Sequence, residues 1–145
     1  ALFRSRNGGL SWKEVGFWED AVQCAAFSPA FAKDRHAWVG TENSGLLAST
    51  DGGVTWKGLE SFPKNSVNVL ATAQASGTWL LAGTGEGLRA SSDLGKTWTM
   101  VLPGVNVLAL AVAGSGDSAW LFAATESGGL FASHGSVNAW AKVSS

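Results

Sequence analysis

The stretch STDGGVTW, residues 49–56, decides the fold, because the chain writes it more than once. SSDLGKTW at 91–98 keeps Ser, Asp, Gly and Trp in place, SRNGGLSW at 5–12 has Asn for Asp, and SHGSVNAW at 133–140 keeps only the outer Ser and Trp. The copies open at Ser5, Ser49, Ser91 and Ser133, at spacings of 44, 42 and 42 residues. A period in the low forties marks a repeat array, and roughly 40–45 residues is the length of one four-stranded propeller blade.

The residue types explain the spacing. Asp51 and Asp93 suit a hairpin turn in which a carboxylate folds back onto backbone N–H groups, and Gly53 and Gly95 take positive φ without steric cost. Ser49 and Ser91 add a hydroxyl bond across the turn, while Trp56 and Trp98 start the outgoing strand as large apolar plugs between sheets. The competing reading, in which these Asp residues bind a metal or catalyse, is the weaker one. Turn geometry alone accounts for Asp beside Gly, so the stretch is a staple.

Working outward from the turns, each period holds four strand-length segments that alternate or run apolar. The first full set is 21–28, 36–41, 45–49 and 54–59; the second is 67–73, 78–84, 87–91 and 96–101; the third is 105–113, 119–125, 129–133 and 138–143. Residues 1–15 carry only two strands around the first turn, the back half of a repeat. This predicts one all-β segment over 1–145, with a half blade at 1–20 and blades at 21–60, 66–102 and 105–145. The link 28–35, with Pro29 and charges, reads as a surface loop, and no segment has helical periodicity. Trp38, Trp79 and Trp120, spaced by 41, form a second Trp column on the second strands, and Ala26, Ala71 and Ala109 align on the innermost ones.

The pattern Ser-x-Asp-x-Gly-x-x-Trp resembles the Asp-box (BNR) repeat of sialidases, sortilin-type receptors and photosystem II stability/assembly factor-like proteins. The resemblance covers nearly the whole chain and implies a β-propeller, with blades of four antiparallel strands. Sialidase chemistry would require a Tyr nucleophile and an arginine triad. The chain has no Tyr, and its Arg residues fall at 4, 6, 35 and 89, at unrelated repeat positions. A two-carboxylate glycosidase, as in the longer Asp-box xyloglucanases, remains open through Asp20 and the Glu residues below.

Composition narrows the partners. The chain is 46% hydrophobic and 14% charged, with a net charge of −1, which gives no electrostatic reason to expect nucleic acid or an anionic membrane. No apolar run reaches the length of a membrane span. The lone Cys24 forbids an internal disulfide or multi-Cys zinc site and reads as a buried, inert thiol. No cofactor or metal is expected.

Binding candidates come from the propeller face opposite the turns. Glu42, Glu86 and Glu126 recur in the turns after the second strands, where they either meet a basic segment, a sugar or a cation, or are simply solvated. Gln23, Asn68 and Asn106 each follow the opening Val of an innermost strand and can hydrogen-bond a ligand or ordered water. Trp18, flanked by Glu19 and Asp20, is a sugar-stacking or hot-spot candidate, or a cap between blades. These features predict a non-enzymatic scaffold outside the cytoplasm that binds a protein or a glycan. Part of a carbohydrate-active enzyme is the alternative. With blades open at both ends, the chain is expected to belong to a longer propeller or to homo-oligomerise.

Overall fold

The computed structural model describes residues 1–16 and 19–144. It contains one two-stranded and three four-stranded antiparallel sheets, the strands of each four-stranded sheet following one another in chain order. β1 (Leu2–Arg4) and β2 (Lys13–Gly16) form the half blade. The first full blade is β3 (Val22–Phe27), β4 (Ala37–Thr41), β5 (Leu46–Ser49) and β6 (Lys57–Gly58). The second is β7 (Val67–Gln74), β8 (Thr78–Thr84), β9 (Gly87–Ser91) and β10 (Thr99–Pro103). The third is β11 (Val107–Ala113), β12 (Trp120–Thr125), β13 (Leu130–His134) and β14 (Ala141–Ser144).

Register fixes which residues are equivalent. Val22 pairs with Thr41, Val67 with Thr84 and Val107 with Thr125, and each first strand carries a bulge just after its Val. Counted from these pairs, Trp38 is equivalent to Leu81 and Phe122, whereas Trp79 and Trp120 lie two places nearer the start of their strands. The evenly spaced second Trp column is therefore corrected. Trp38 is 1% exposed in the core, and Trp120 is 45% exposed. Likewise the aligned small residues are Ala26, Ala71 and Ala111, because the third blade's first strand is registered from Val107 rather than Val105.

One joint holds successive blades together. A Cβ on Gly40 would lie 2.8 Å from Val67 Cβ, and one on Gly83 would lie 2.8 Å from Val107 Cγ1. The opening Val of each following blade thus seats in the glycine of the blade before. Around the first joint Trp38 packs with Leu70, Leu80, Ala82 and Phe62; around the second, Leu81 packs with Leu121, Ala123 and Val107. Cys24 lines the first joint, its Sγ donating to the Val67 carbonyl at 3.4 Å, and burial pushes its thiol up to about 11.

The link 28–35 holds one turn of α-helix, α1 (Phe31–Asp34), where a loop was expected. Local bonds make it. Asp34 accepts from the Ser28 hydroxyl at 2.5 Å and the His36 amide at 3.0 Å, and Arg35 ends the turn at φ 59°. Among the described residues no helix is long and apolar enough to cross a membrane.

Candidate functional site

The two ends of the blades do different work. At the lower end, Ser49 Oγ accepts from Gly53 N at 2.8 Å and donates to Asp51 Oδ1 at 2.8 Å. Asp51 in turn accepts from Val54 N, Thr55 N and Thr55 Oγ1. Ser91, Asp93, Gly95 and Thr97 repeat the scheme, and in the first copy Asn7 Oδ1 takes the Asp position, accepting from Ser11 N at 2.9 Å. The outgoing strands begin one residue after each Trp, because the Trp still belongs to the turn. Trp98 Nε1 donates to the Gly95 carbonyl at 3.1 Å, and Trp12 Nε1 to that of Gly9 at 3.0 Å. The Ser49, Asp51, Ser91 and Asp93 side chains thus spend their hydrogen bonds within the turns. Replacing the buried Ser49 by Ala would strand the Gly53 N–H, and chemical denaturation should show a loss of about 1–3 kcal/mol.

The same bonds set an acid limit. The Thr55 hydroxyl, then the Thr55 N–H and the Ser49 hydroxyl, hold the Asp51 carboxyl well below the usual range. The Thr97 hydroxyl foremost holds Asp93 at about 2. A depressed folded-state value gives stability that is present above the unfolded Asp value of about 3.9 and is lost as pH falls through the folded one. Urea midpoints should therefore decline from about pH 4 toward pH 2. Asp93→Asn should flatten that decline.

At the upper end, a hydrogen-bonded row crosses all three full blades. The Ser66 hydroxyl stands 3.3 Å from both Gln23 Oε1 and Asn68 Oδ1. Asn68 Nδ2 donates to Asn106 Oδ1 and to the Val107 carbonyl, each at 2.9 Å. Asn106 Nδ2 donates to Glu126 Oε2 at 2.8 Å. The Asn amides point their donors the same way, and the row ends on a carboxylate.

The structure revises how these residues correspond. Gln23 and Asn68 are the bulge residues after Val22 and Val67, but the third blade's equivalent is Leu108, which is 49% exposed. Asn106 is instead equivalent to Ser66, since each precedes its blade's registering Val. Ser66 was missed in the sequence; aligning blades on Val67 and Val107 would have found it.

The three rim Glu residues have separate environments. Glu126 takes the Asn106 amide, Glu86 faces Arg89 Nη2 at 3.5 Å, and Glu42 is exposed. Among the described residues no three His, Cys, Asp or Glu side chains gather as a metal site. Asp20 clamps the turn after β4, accepting from Asn43 N at 2.9 Å, Asn43 Nδ2 at 3.0 Å and Ser44 N at 2.7 Å. Desolvation pushes its carboxyl upward, but these bonds together outweigh it and hold the group well below the usual range. These bonds favour the carboxylate form of Asp20. Glu19 is exposed, and Trp18 lies outside the described residues.

The sheets and their joints define a run of β-propeller blades. The comparisons agree. By fold, the chain is similar to an ancestral GH74 enzyme (TM-score 0.75, 20% identity, covering 99% of this chain and 21% of that one). It is also similar to the GH74 xyloglucanase of Xanthomonas campestris (0.63, 20%, 86% and 22%) and to YCF48 of Cyanidioschyzon merolae (0.63, 22%, 90% and 39%). By sequence, it is 32% identical over 76 residues to an oligoxyloglucan-reducing end-specific xyloglucanase of Emericella nidulans. That match covers 48% of this chain and 9% of the relative. No family model matches the chain.

These relatives correct the expectation of a non-enzymatic chain, because the protein matched by sequence is an enzyme. Missing Tyr and scattered Arg argue only against sialidase chemistry. They say nothing against a hydrolase built on two carboxyls.

Proposed function

We propose that this chain supplies blades to a xyloglucan-acting Asp-box propeller of the glycoside hydrolase type, and that its upper end holds the polysaccharide. The observation that carries the reading is the row Gln23, Ser66, Asn68, Asn106 and Glu126. Amides, a hydroxyl and one carboxylate offer alternating donors and acceptors without a strong field, the chemistry that neutral sugar hydroxyls match. The similarity to a xyloglucanase supports the choice of sugar. Such a polymer places the chain outside the cytoplasm. In this reading Asp20 holds the turn beside the row, and the lower turns hold the fold.

Affinity electrophoresis through gels containing xyloglucan, combined with product analysis, tests this. Retardation by xyloglucan, weakened by Asn68→Ala and unaffected by Asp93→Asn, is the expected result. Migration unchanged by xyloglucan would refute it. Salt separates a neutral glycan from a basic protein partner. Glycan binding should be nearly constant from about 0.1 M to about 1 M salt, over which the screening length falls from ~10 to ~3 Å. A charged protein partner would be lost over that range.

A further inference from the structure

The hydrogen bonds of the upper row run in one direction, and two fixed acceptors set it. Asn68 Nδ2 places both of its protons, one on the Val107 carbonyl and one on Asn106 Oδ1. A backbone carbonyl only accepts, so the Asn68 amide has to present its nitrogen there. Asn106 then turns its Nδ2 to Glu126 Oε2, and a carboxylate likewise only accepts. Asn68 Oδ1 is left facing Ser66 Oγ, with Gln23 Oε1 at the same 3.3 Å from that hydroxyl. The hydroxyl has one proton for two acceptors. Asn68 is half-buried and Gln23 is exposed, so a carbonyl without a donor costs more at Asn68. Ser66 therefore donates to Asn68. Gln23 completes the chain by turning its amide over, so that Nε2 donates to Ser66 Oγ and Oε1 faces solvent.

The chain of bonds also has two ends written into the sequence. Ala21 holds the place of Ser66 and Asn106 in the first full blade, and Leu108 holds the place of Gln23 and Asn68 in the third. Neither side chain can pass a hydrogen bond on. Exposure divides the row in the same way: Gln23 and Glu126 are exposed, whereas Ser66, Asn68 and Asn106 are half-buried. We infer that Ser66, Asn68 and Asn106 are positioning residues, and that the two ends, Gln23 Oε1 and the Glu126 carboxylate, are the groups that take glycan hydroxyls. This inference rests on the proposed role of the upper end. An amide that donates becomes a better acceptor at its own oxygen, so the Gln23 carbonyl at the head of the chain is strengthened. Both ends then ask the ligand for a hydroxyl proton, one on the first full blade and one on the third. An oligosaccharide lying across the second blade meets both demands.

The direction of the chain is read in the free protein and the contacts with xyloglucan oligosaccharides present, so the two fail separately. Without sugar, NMR should show one Nε2 proton of Gln23 exchanging with water more slowly than the other, and Ser66→Ala should remove the difference. Equal exchange in the unaltered protein would overturn the direction, whatever the sugar does. With sugar, calorimetry should show Gln23→Ala and Glu126→Gln each binding roughly tenfold more weakly or worse. Both change exposed side chains, and thermal unfolding should be unmoved. Ser66→Ala should weaken binding several-fold by itself but add little to Gln23→Ala, because Ser66 acts through Gln23. Equal losses from Ser66→Ala in the two backgrounds, or full affinity in Gln23→Ala and Glu126→Gln, would overturn the division of roles. No binding to the unaltered protein would refute the proposed function and these contacts together, with the direction of the chain still decided by the exchange measurement.

Discussion

Trp38→Ala should lower the stability of the chain by about 3–5 kcal/mol, the scale of truncating a fully buried aromatic side chain. Trp38 is 1% exposed and fills the first joint among Leu70, Leu80, Ala82 and Phe62, so its loss opens a cavity in the contact that holds two blades together. A small domain has only about 5–15 kcal/mol in total, so denaturant curves should shift far enough to populate unfolded chain in mild conditions. Trp38→Phe provides the contrast. The indole N–H of Trp38 is buried without a hydrogen-bond partner among the described residues. Phe therefore gives up ring volume but also removes an unsatisfied donor, and the net loss should be under about 1.5 kcal/mol.

Gly83→Val should cost about 3 kcal/mol, at the upper end of overpacking effects. Gly83 has ordinary strand φ, so the requirement for glycine is spatial. A Cβ there would stand 2.6 Å from Val69 Cγ1 and 2.8 Å from Val107 Cγ1. The milder Gly83→Ala tests the joint through coupling. Combined with Val107→Ala, it should destabilise by less than the two single losses added together, because the second change removes an atom the first collides with. Strict additivity would mean that Val107 is not seated on Gly83.

The blades were legible in the sequence because three of the four turns keep their chemistry. A turn closed by Ser, Asp or Asn, Gly and Trp is a local object, and the side-chain hydrogen bonds of Ser49, Asp51, Asn7 and Trp12 join residues at most four apart. Relations between strands were less legible. An even spacing of 41 placed Trp38 in one column with Trp79 and Trp120, but the stretch from second-strand Trp to upper Thr is shorter by two residues in the first blade. A separate two-residue shift, in the third blade's first strand, which registers from Val107 rather than Val105, hid the equivalence of Ser66 with Asn106 and set Asn106 beside Gln23 and Asn68. The helix α1 was missed for a different reason: it rests on Asp34 bonds to Ser28 and His36, not on apolar periodicity. The upper row joins residues about 20–43 apart in sequence through the contact of separate blades. No local pattern reports such a row.

Whether the upper row is where a neutral glycan sits is best tested by following the side-chain NH2 resonances of Gln23, Asn68 and Asn106 in 15N-labelled protein during titration with xyloglucan oligosaccharides. The account predicts saturable shifts at these amides, with the backbone amides of Gly53, Thr55, Gly95 and Thr97 in the lower turns unmoved. Shifts confined to the lower turns, or none at saturating sugar, would contradict it.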